Sequence, residues 1–306
     1  MKRLVLIDGH AILHRAYHAF PLTLKTRRGE TINAVYGFTR MLLTVLKNLK
    51  PDYVAVAFDL AEPTFRHEEF VGYQAHRPER EALMEEQLER VEEVVRTLNI
   101  PTFAVKGFEA DDVIGTLAKQ AAKKGVETAI VTGDRDIMQL VNSKVKIYAP
   151  IKGFADAKLF GKQDVQELLG IKPEQIVDYK ALVGDASDNY PGVPGIGPKT
   201  AVSLLGEYQD LETIYRKVGR LPEKVAKRLV DGKESAELSR KLAQIVTNVP
   251  IKLSLKACRV HDYDYGKAVA LFQRLEFRSL IKKLPKTEKE EERLKVGSKN
   301  KQMTLL

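Results

Sequence analysis

Short apolar runs alternate along the first half of the chain with longer segments in which apolar residues recur every three or four positions. That alternation is the pattern of a parallel sheet covered by helices. The runs predict strands at Leu4–Ile7, Tyr53–Phe58, Thr102–Val105, Ala129–Thr132 and Val145–Tyr148. Between them, Val35–Leu49 reads as a helix, and so does Asp111–Lys124, with Val113, Ile114, Leu117, Ala118 and Ala121 on one face. Met84, Leu88, Val91, Val95 and Leu98 also fall at helical spacing, as the core-facing stripe of an amphipathic helix. From about Lys162 the pattern turns helical, with Gly and Pro clustered in VGDASDNYPGVPGIGPKTA. The expected organisation is an α/β unit over 1–161, a helical lobe over 162–285, and a flexible charged tail over 286–306 that ends in the apolar QMTLL.

Composition narrows the class. A chain of 306 residues that is 44% hydrophobic and 30% charged buries one large core or two modest ones, which excludes fibrous and disordered classes. Fifty Lys and Arg against 41 Asp and Glu leave a net charge of +9, which favours polyanionic partners. The single cysteine, Cys258, excludes an internal disulfide and fits a reducing cytoplasm. Four apolar residues before Asp8 are too few for a signal-peptide core or a membrane span, so no membrane association is expected.

The acids carry the chemistry. Asp8 and Asp59 close the first two predicted strands, Asp134 and Asp136 follow AIVT, and Glu109, Asp111 and Asp112 follow TFAV at a helix start. The carboxyl ends of parallel strands converge on one crevice, so these groups are expected to face a common point. Each acid alone has a plain reading as a loop or helix-capping residue. Together they repel: two unit charges 4 Å apart cost about 4 kcal/mol at an effective dielectric of 20, so such a cluster calls for cations. Oxygen ligands without His or Cys select Mg²⁺ or Mn²⁺. Asp185 and Asp188, three apart in GDASDN, would complete a two-metal site of the kind that hydrolyses phosphodiesters.

VLIDGHAILHRAYHAF, AVAFDLAEPTFRHE, GFEADDVIGTLA, IVTGDRDIMQLV and VGDASDNYPGVPGIGPKTA together resemble the signature blocks of bacterial 5′ nucleases of the flap-endonuclease family, which includes the 5′→3′ exonuclease domain of DNA polymerase I. The resemblance covers roughly residues 1–284. It implies a PIN-like (resolvase-like), mostly parallel sheet flanked by helices, a helical arch at about 66–98, and a helical lobe with an H3TH-type DNA-binding hairpin at about 183–205. It implies one metal on Asp8, Asp59, Glu109 and Asp111, a second on Asp134, Asp136, Asp185 and Asp188, and Asp112 in support. Arg15 and Arg77 match arginines that act on the scissile phosphate. His14, Arg66, Tyr73, Gly195, Gly197, Lys199 and Thr200 are the expected DNA contacts, with a K⁺ ion held by carbonyls of the hairpin loop. Glycines there let backbone N–H groups approach phosphate. The implied activity is metal-dependent 5′→3′ exonuclease and 5′-flap endonuclease action on flapped, nicked or gapped DNA and on RNA-primed DNA. A PIN-like ribonuclease and a weakly catalytic junction-binding protein are the alternatives.

Three features depart from the pattern or extend it. Where the family usually has Tyr-Lys at the arch base, this chain has Tyr73 and Gln74, an amide that brings no charge to the phosphate. His10, His14 and His18 recur every four residues, one row on a helix, but zinc normally wants a further ligand, so histidines beside DNA are the preferred reading. Gln302, Met303, Thr304, Leu305 and Leu306 resemble the short peptide by which bacterial replication and repair proteins bind the β sliding clamp. A polar linker ahead of apolar anchors suits a tether, and the charged tail reads as a natural terminus. A monomer is expected.

Overall fold

The computed structural model describes residues 2–76, 81–150 and 157–287. Six strands, β1 (Arg3–Asp8), β2 (Tyr53–Ala57), β3 (Thr102–Phe103), β4 (Glu127–Val131), β5 (Val145–Pro150) and β6 (Ala157–Phe160), form one sheet in the order β3-β2-β1-β4-β5-β6. All neighbours are parallel except β5 and β6, which run antiparallel. The apolar runs mark the parallel strands because both sheet faces are covered. In β1, Leu4 and Leu6 enter one core and Val5 and Ile7 the other. The third strand is shorter than the apolar run predicts, and β6, four residues reading AKLF, carries too little pattern to be predicted.

On one face of the sheet lies α5 (Ala110–Lys123), whose Val113, Ile114 and Leu117 pack on Leu4, Leu6 and Ile130. The other face is covered by α1 (Gly9–Ala19), α2 (Asn33–Leu49) and α4 (Ala82–Thr97); α3 (Phe65–Glu69) lies in the connection before α4. The predicted stripe of α4 is core: Met84, Val91, Val95 and Leu98 are buried, with Leu88 half-buried. Helix α2 starts without a side-chain cap of its own. Gln87 of α4 supplies it: its Oε1 accepts from the Ala34 N–H at 2.9 Å, and its Nε2 donates to Asn33 Oδ1 at 2.9 Å.

The second half comprises α6 (Lys162–Leu169), α7 (Ile176–Val183), α8 (Pro198–Tyr208), α9 (Leu211–Arg216), α10 (Glu223–Asp231), α11 (Lys233–Ala243), α12 (Tyr265–Arg274) and α13 (Arg278–Ile281). Its apolar residues join the two sheet cores and a small third cluster of Val177, Tyr190, Leu242 and Ala243 with Tyr73. Val165, Ile176, Leu182, Leu205 and Ile214 continue the α5 core, whereas Phe272, Phe277 and Leu280 return to pack with α2 and α4. The Val54 N–H donates to the Cys258 carbonyl at 2.7 Å, tying this return to β2. Both cores therefore run across the line at 161/162. Among the described residues no helix is long and apolar enough to cross a membrane.

Candidate metal centre

The strand order reverses between β1 and β4, and the crevice at that switch point is where the acids stand. Asp8 ends β1 and caps α1. Its Oδ1 accepts from the Ala11 N–H at 3.0 Å and its Oδ2 from the Thr132 hydroxyl at 2.8 Å. Gly9 permits this tight exit, since a Cβ there would stand 2.3 Å from the Phe58 ring. The close approach brings α1 against the end of β2, where Asp59 Oδ1 accepts from the Ala110 N–H at 2.8 Å and so caps α5. Glu109 is the N-cap residue of α5, and Asp111 and Asp112 lie in its first turn, so with Asp59 four carboxylates share the positive end of that helix.

Burial and crowding leave these acids poor in compensating charge. Burial raises the Asp8 carboxyl to about 7, with Asp59 and Asp134 adding repulsion. Asp111 is held well above the usual carboxylate range by burial and then by Asp134, Asp8, Asp59 and Glu109. Glu109 is raised to about 7 by burial, against the pull of Arg66. Burial also raises Asp136, to about 6, although Lys180 opposes it. Asp185 goes the other way: burial works upward, but hydrogen bonds from Lys180 and Ser187 bring it to about 2.

Carboxylate oxygens of Asp136, Asp185 and Asp188 lie within 4.8 Å of one another, and among the described residues theirs is the only acidic group so drawn together. Asp134 stays outside it, exposed, with its Oδ1 accepting from the Asp136 N–H at 2.8 Å. Asp185 is shaped by its own loop: its Oδ1 accepts from the Ser187 N–H at 2.7 Å and the Asp188 N–H at 3.2 Å. A purely carboxylate donor set, part-buried and self-repelling, fits hard divalent cations.

Two of the expected DNA contacts lie inside the protein. Arg66 is 3% exposed, and its guanidinium is spent inside the protein: Nη1 and Nη2 grip Asp112 at 2.7 and 2.9 Å, while Nε and Nη2 donate to the carbonyls of Leu242 and Gln244 at 2.9 Å each. It joins α3 to α5 and α11. Tyr73 is likewise buried, its hydroxyl donating to Glu109 Oε2 at 3.3 Å. Asp112, fully buried, holds the Arg66 guanidinium 3.3 Å from Glu109.

The other residues fall as follows. Arg15 faces the Asp134 loop, with Nη1 3.8 Å from where a Gly133 Cβ would stand. His14 is exposed, its Nε2 3.2 Å from that of His18, and His10 Nδ1 accepts from the Asp59 N–H at 3.1 Å, so the row of histidines serves different neighbours. The hairpin is α7, a loop and α8. Gly195 has φ +83° with its carbonyl accepting from Arg228 at 2.7 Å, Gly197 caps α8, Lys199 is exposed and Thr200 half-exposed in the first turn. Arg77 and the apolar end Gln302, Met303, Leu305 and Leu306 lie outside the described residues.

Sequence reasoning missed one side chain, Lys180, and the partner of another, Gln74. Lys180 of α7 sits between Asp136 and Asp185, 2.5 Å from the latter. Gln74, with φ +54°, donates from Nε2 to Asp188 Oδ1 at 3.1 Å and from its backbone to the Asp188 carbonyl at 3.0 Å. Lys180 could have been noticed as a cation one helical turn ahead of GDASDN; nothing local signals the pairing of Gln74.

Residues 3–170 match the family described as 5′-3′ exonuclease, N-terminal resolvase-like domain, and residues 171–266 match its C-terminal SAM fold. The chain belongs to the 5′-3′ exonuclease family. It is 44% identical over 289 residues to DNA polymerase I of Chloroflexus aurantiacus, covering 92% of this chain and 31% of that protein. To DNA polymerase I of Bacillus caldotenax it is 42% identical, covering 95% of this chain and 33% of the relative. The chain thus spans about a third of the length of these relatives. The same fold is found in T5 5′-exonuclease with bound zinc, at a TM-score of 0.66 and 22% identity over 91% of this chain and 98% of that one. It is found again in the catalytic core of Rad2 in complex with DNA substrate, at 0.58 and 15% over 93% and 92%. The resemblance drawn from the sequence blocks therefore names the right family, and the mostly parallel, resolvase-like sheet it implies is present.

Proposed function

We propose that this exonuclease-family chain is a divalent-metal-dependent 5′ nuclease that cuts 5′ flaps and degrades 5′ ends at nicked or gapped DNA and RNA-primed junctions. The observation that carries the reading is the convergence of Asp136, Asp185 and Asp188 beside Asp8 and Asp111, whose carboxyls burial pushes upward, at one switch point. Asp8, Asp59, Glu109 and Asp111 would hold one Mg²⁺ or Mn²⁺, and Asp134, Asp136, Asp185 and Asp188 the other. Bound there, the ions supply charge on the scissile phosphate and activation of the attacking water.

The remaining work belongs to the chain. Arg15 and Arg77 would fork onto the phosphate, and Thr132 orients Asp8. Gln74 orients Asp188, which gives the amide at the arch base a purpose other than charge. Gly197 and Lys199, at the exposed start of α8, would take a duplex phosphate on backbone N–H groups and an ammonium. His14 lies exposed on α1, where it would meet DNA. The reading extends to a K⁺ ion on hairpin carbonyls other than that of Gly195, which Arg228 engages, and to action as a cytoplasmic monomer tethered to the clamp through Gln302, Met303, Leu305 and Leu306.

A 5′-labelled flap substrate tests the proposal. Short labelled products should appear in Mg²⁺ or Mn²⁺, vanish in EDTA, and vanish with Asp136→Ala. Undiminished cleavage in EDTA would overturn it.

A further inference from the structure

Lys180 stands where a cation is wanted. It occupies the fourth-last position of α7, one turn ahead of Gly184 and the rest of GDASDN, and keeps only 13% of its side chain exposed. Its ammonium bonds to Asp136 Oδ2 and, at 2.5 Å, to Asp185 Oδ2. These are two of the three acids whose oxygens gather within 4.8 Å. The side chain comes from the helical half of the molecule and Asp136 from the α/β half, so this one charge bridges the two. Around it the neutral Tyr190 hydroxyl is buried with no hydrogen-bond partner among the described residues. The ammonium is thus the nearest answer to the repulsion between Asp136 and Asp185.

Resting on the two-ion reading above, we infer that Lys180 is a positioning residue that pre-gathers Asp136 and Asp185 and competes with the second divalent ion for them. A divalent ion and an ammonium cannot hold the same carboxylate oxygens at close range, because like charges repel there. A lysine, with its flexible stem and compact head, can withdraw from the pair without moving its helix. Ion uptake at this site is then an exchange, in which the carboxylates trade a resident +1 for an incoming +2. The exchange weakens the second ion relative to a cluster with no lysine, and it keeps the loop in place when divalent ions are scarce.

Mn²⁺ titration followed by the electron-spin resonance of the free ion, on the full chain, tests this. Wild type, Lys180→Met, Lys180→Gln and Lys180→Arg are compared, with thermal melts in EDTA and in saturating Mn²⁺. Each protein should take up two ions. The weaker site should tighten about tenfold in Lys180→Met and Lys180→Gln and stay near wild type in Lys180→Arg. In EDTA the two neutral variants should melt lower than wild type, and saturating Mn²⁺ should close that gap. Two ions bound with equal or weaker affinity in both neutral variants would overturn the inference and leave the two-ion reading standing. A wild type and variants that bind fewer than two ions would overturn both. The glutamine variant retains a hydrogen-bond donor between the acids, so the comparison survives if the methionine variant does not fold.

Discussion

Replacing Arg66 with Met leaves Asp112, which is completely buried, without its cation. The guanidinium makes a two-pronged bond to Asp112, two further bonds to the carbonyls of Leu242 and Gln244, and stands 3.3 Å from Glu109. Methionine fills much of the stem's volume, so the loss is electrostatic rather than a cavity. Breaking a buried pair by removing one partner costs about 3–5 kcal/mol, since the surviving charge remains desolvated. At ~2.1 cal/mol/K per residue, the unfolding entropy of a chain of 306 residues is ~0.64 kcal/mol/K, which converts that cost to a fall in Tm of ~5–8 °C. Circular dichroism melts in EDTA give the number. Fluorescence anisotropy with a flap duplex in Ca²⁺, across a salt series, gives the complementary reading. An arginine that neutralises a phosphate contributes about 0.9 to the slope of log affinity against log salt, whereas a buried one contributes nothing. The expected result is a lower Tm with an unchanged slope. An unchanged Tm with a slope reduced by about 0.9 would mean that Arg66 meets DNA after all.

Three further outcomes follow from the same structure. With Asp8 and Glu109 raised to about 7, the native protein keeps protons that the unfolded chain has released, so stability in EDTA should fall as pH rises from about 4 to about 7. Saturating Mg²⁺ should abolish that fall and Asp8→Asn should reduce it; a Tm that rises between pH 5 and 7.5 in EDTA contradicts the assignment. Gln87→Ala removes the cap of α2 from a distant helix and should cost about 1–3 kcal/mol by denaturant titration, since the Ala34 N–H is left buried and unsatisfied; a loss below about 0.5 kcal/mol counts against it. Gly192 has φ +63° and a would-be Cβ 2.2 Å from the Gly184 nitrogen, so Gly192→Ala should distort the hairpin loop and weaken duplex binding by anisotropy; wild-type affinity would show the loop to be uninvolved.

The sheet was readable because its parallel strands are buried on both faces and so appear as unbroken apolar runs, as Leu4–Ile7 and Ala129–Val131 do. Asp8, Asp59, Glu109, Asp111, Asp134 and Asp136 were readable because each follows a strand or opens a helix, and parallel topology then brings strand ends together. Partner choice was not readable. Arg66 sits among basic and aromatic residues that suit a DNA contact, yet its partner lies 46 positions on, in a helix whose docking only the assembled core decides. The same holds for Lys180 and Asp136, 44 apart, and for Gln74 and Asp188, 114 apart. Helices α12 and α13 read as part of a separate lobe because an apolar stripe states that a face is covered, not by what. Strand β6 was too short to show a period.

The central claim is that folding gathers these carboxylates into a basin that holds divalent ions. A crystal of the full chain soaked in Mn²⁺ and measured for anomalous scattering tests it directly. Two peaks are expected at the carboxyl end of the sheet, one bounded by Asp136, Asp185 and Asp188 and one beside Asp8 and Asp111. Strong peaks elsewhere on the molecule, with none in this crevice, would contradict the account.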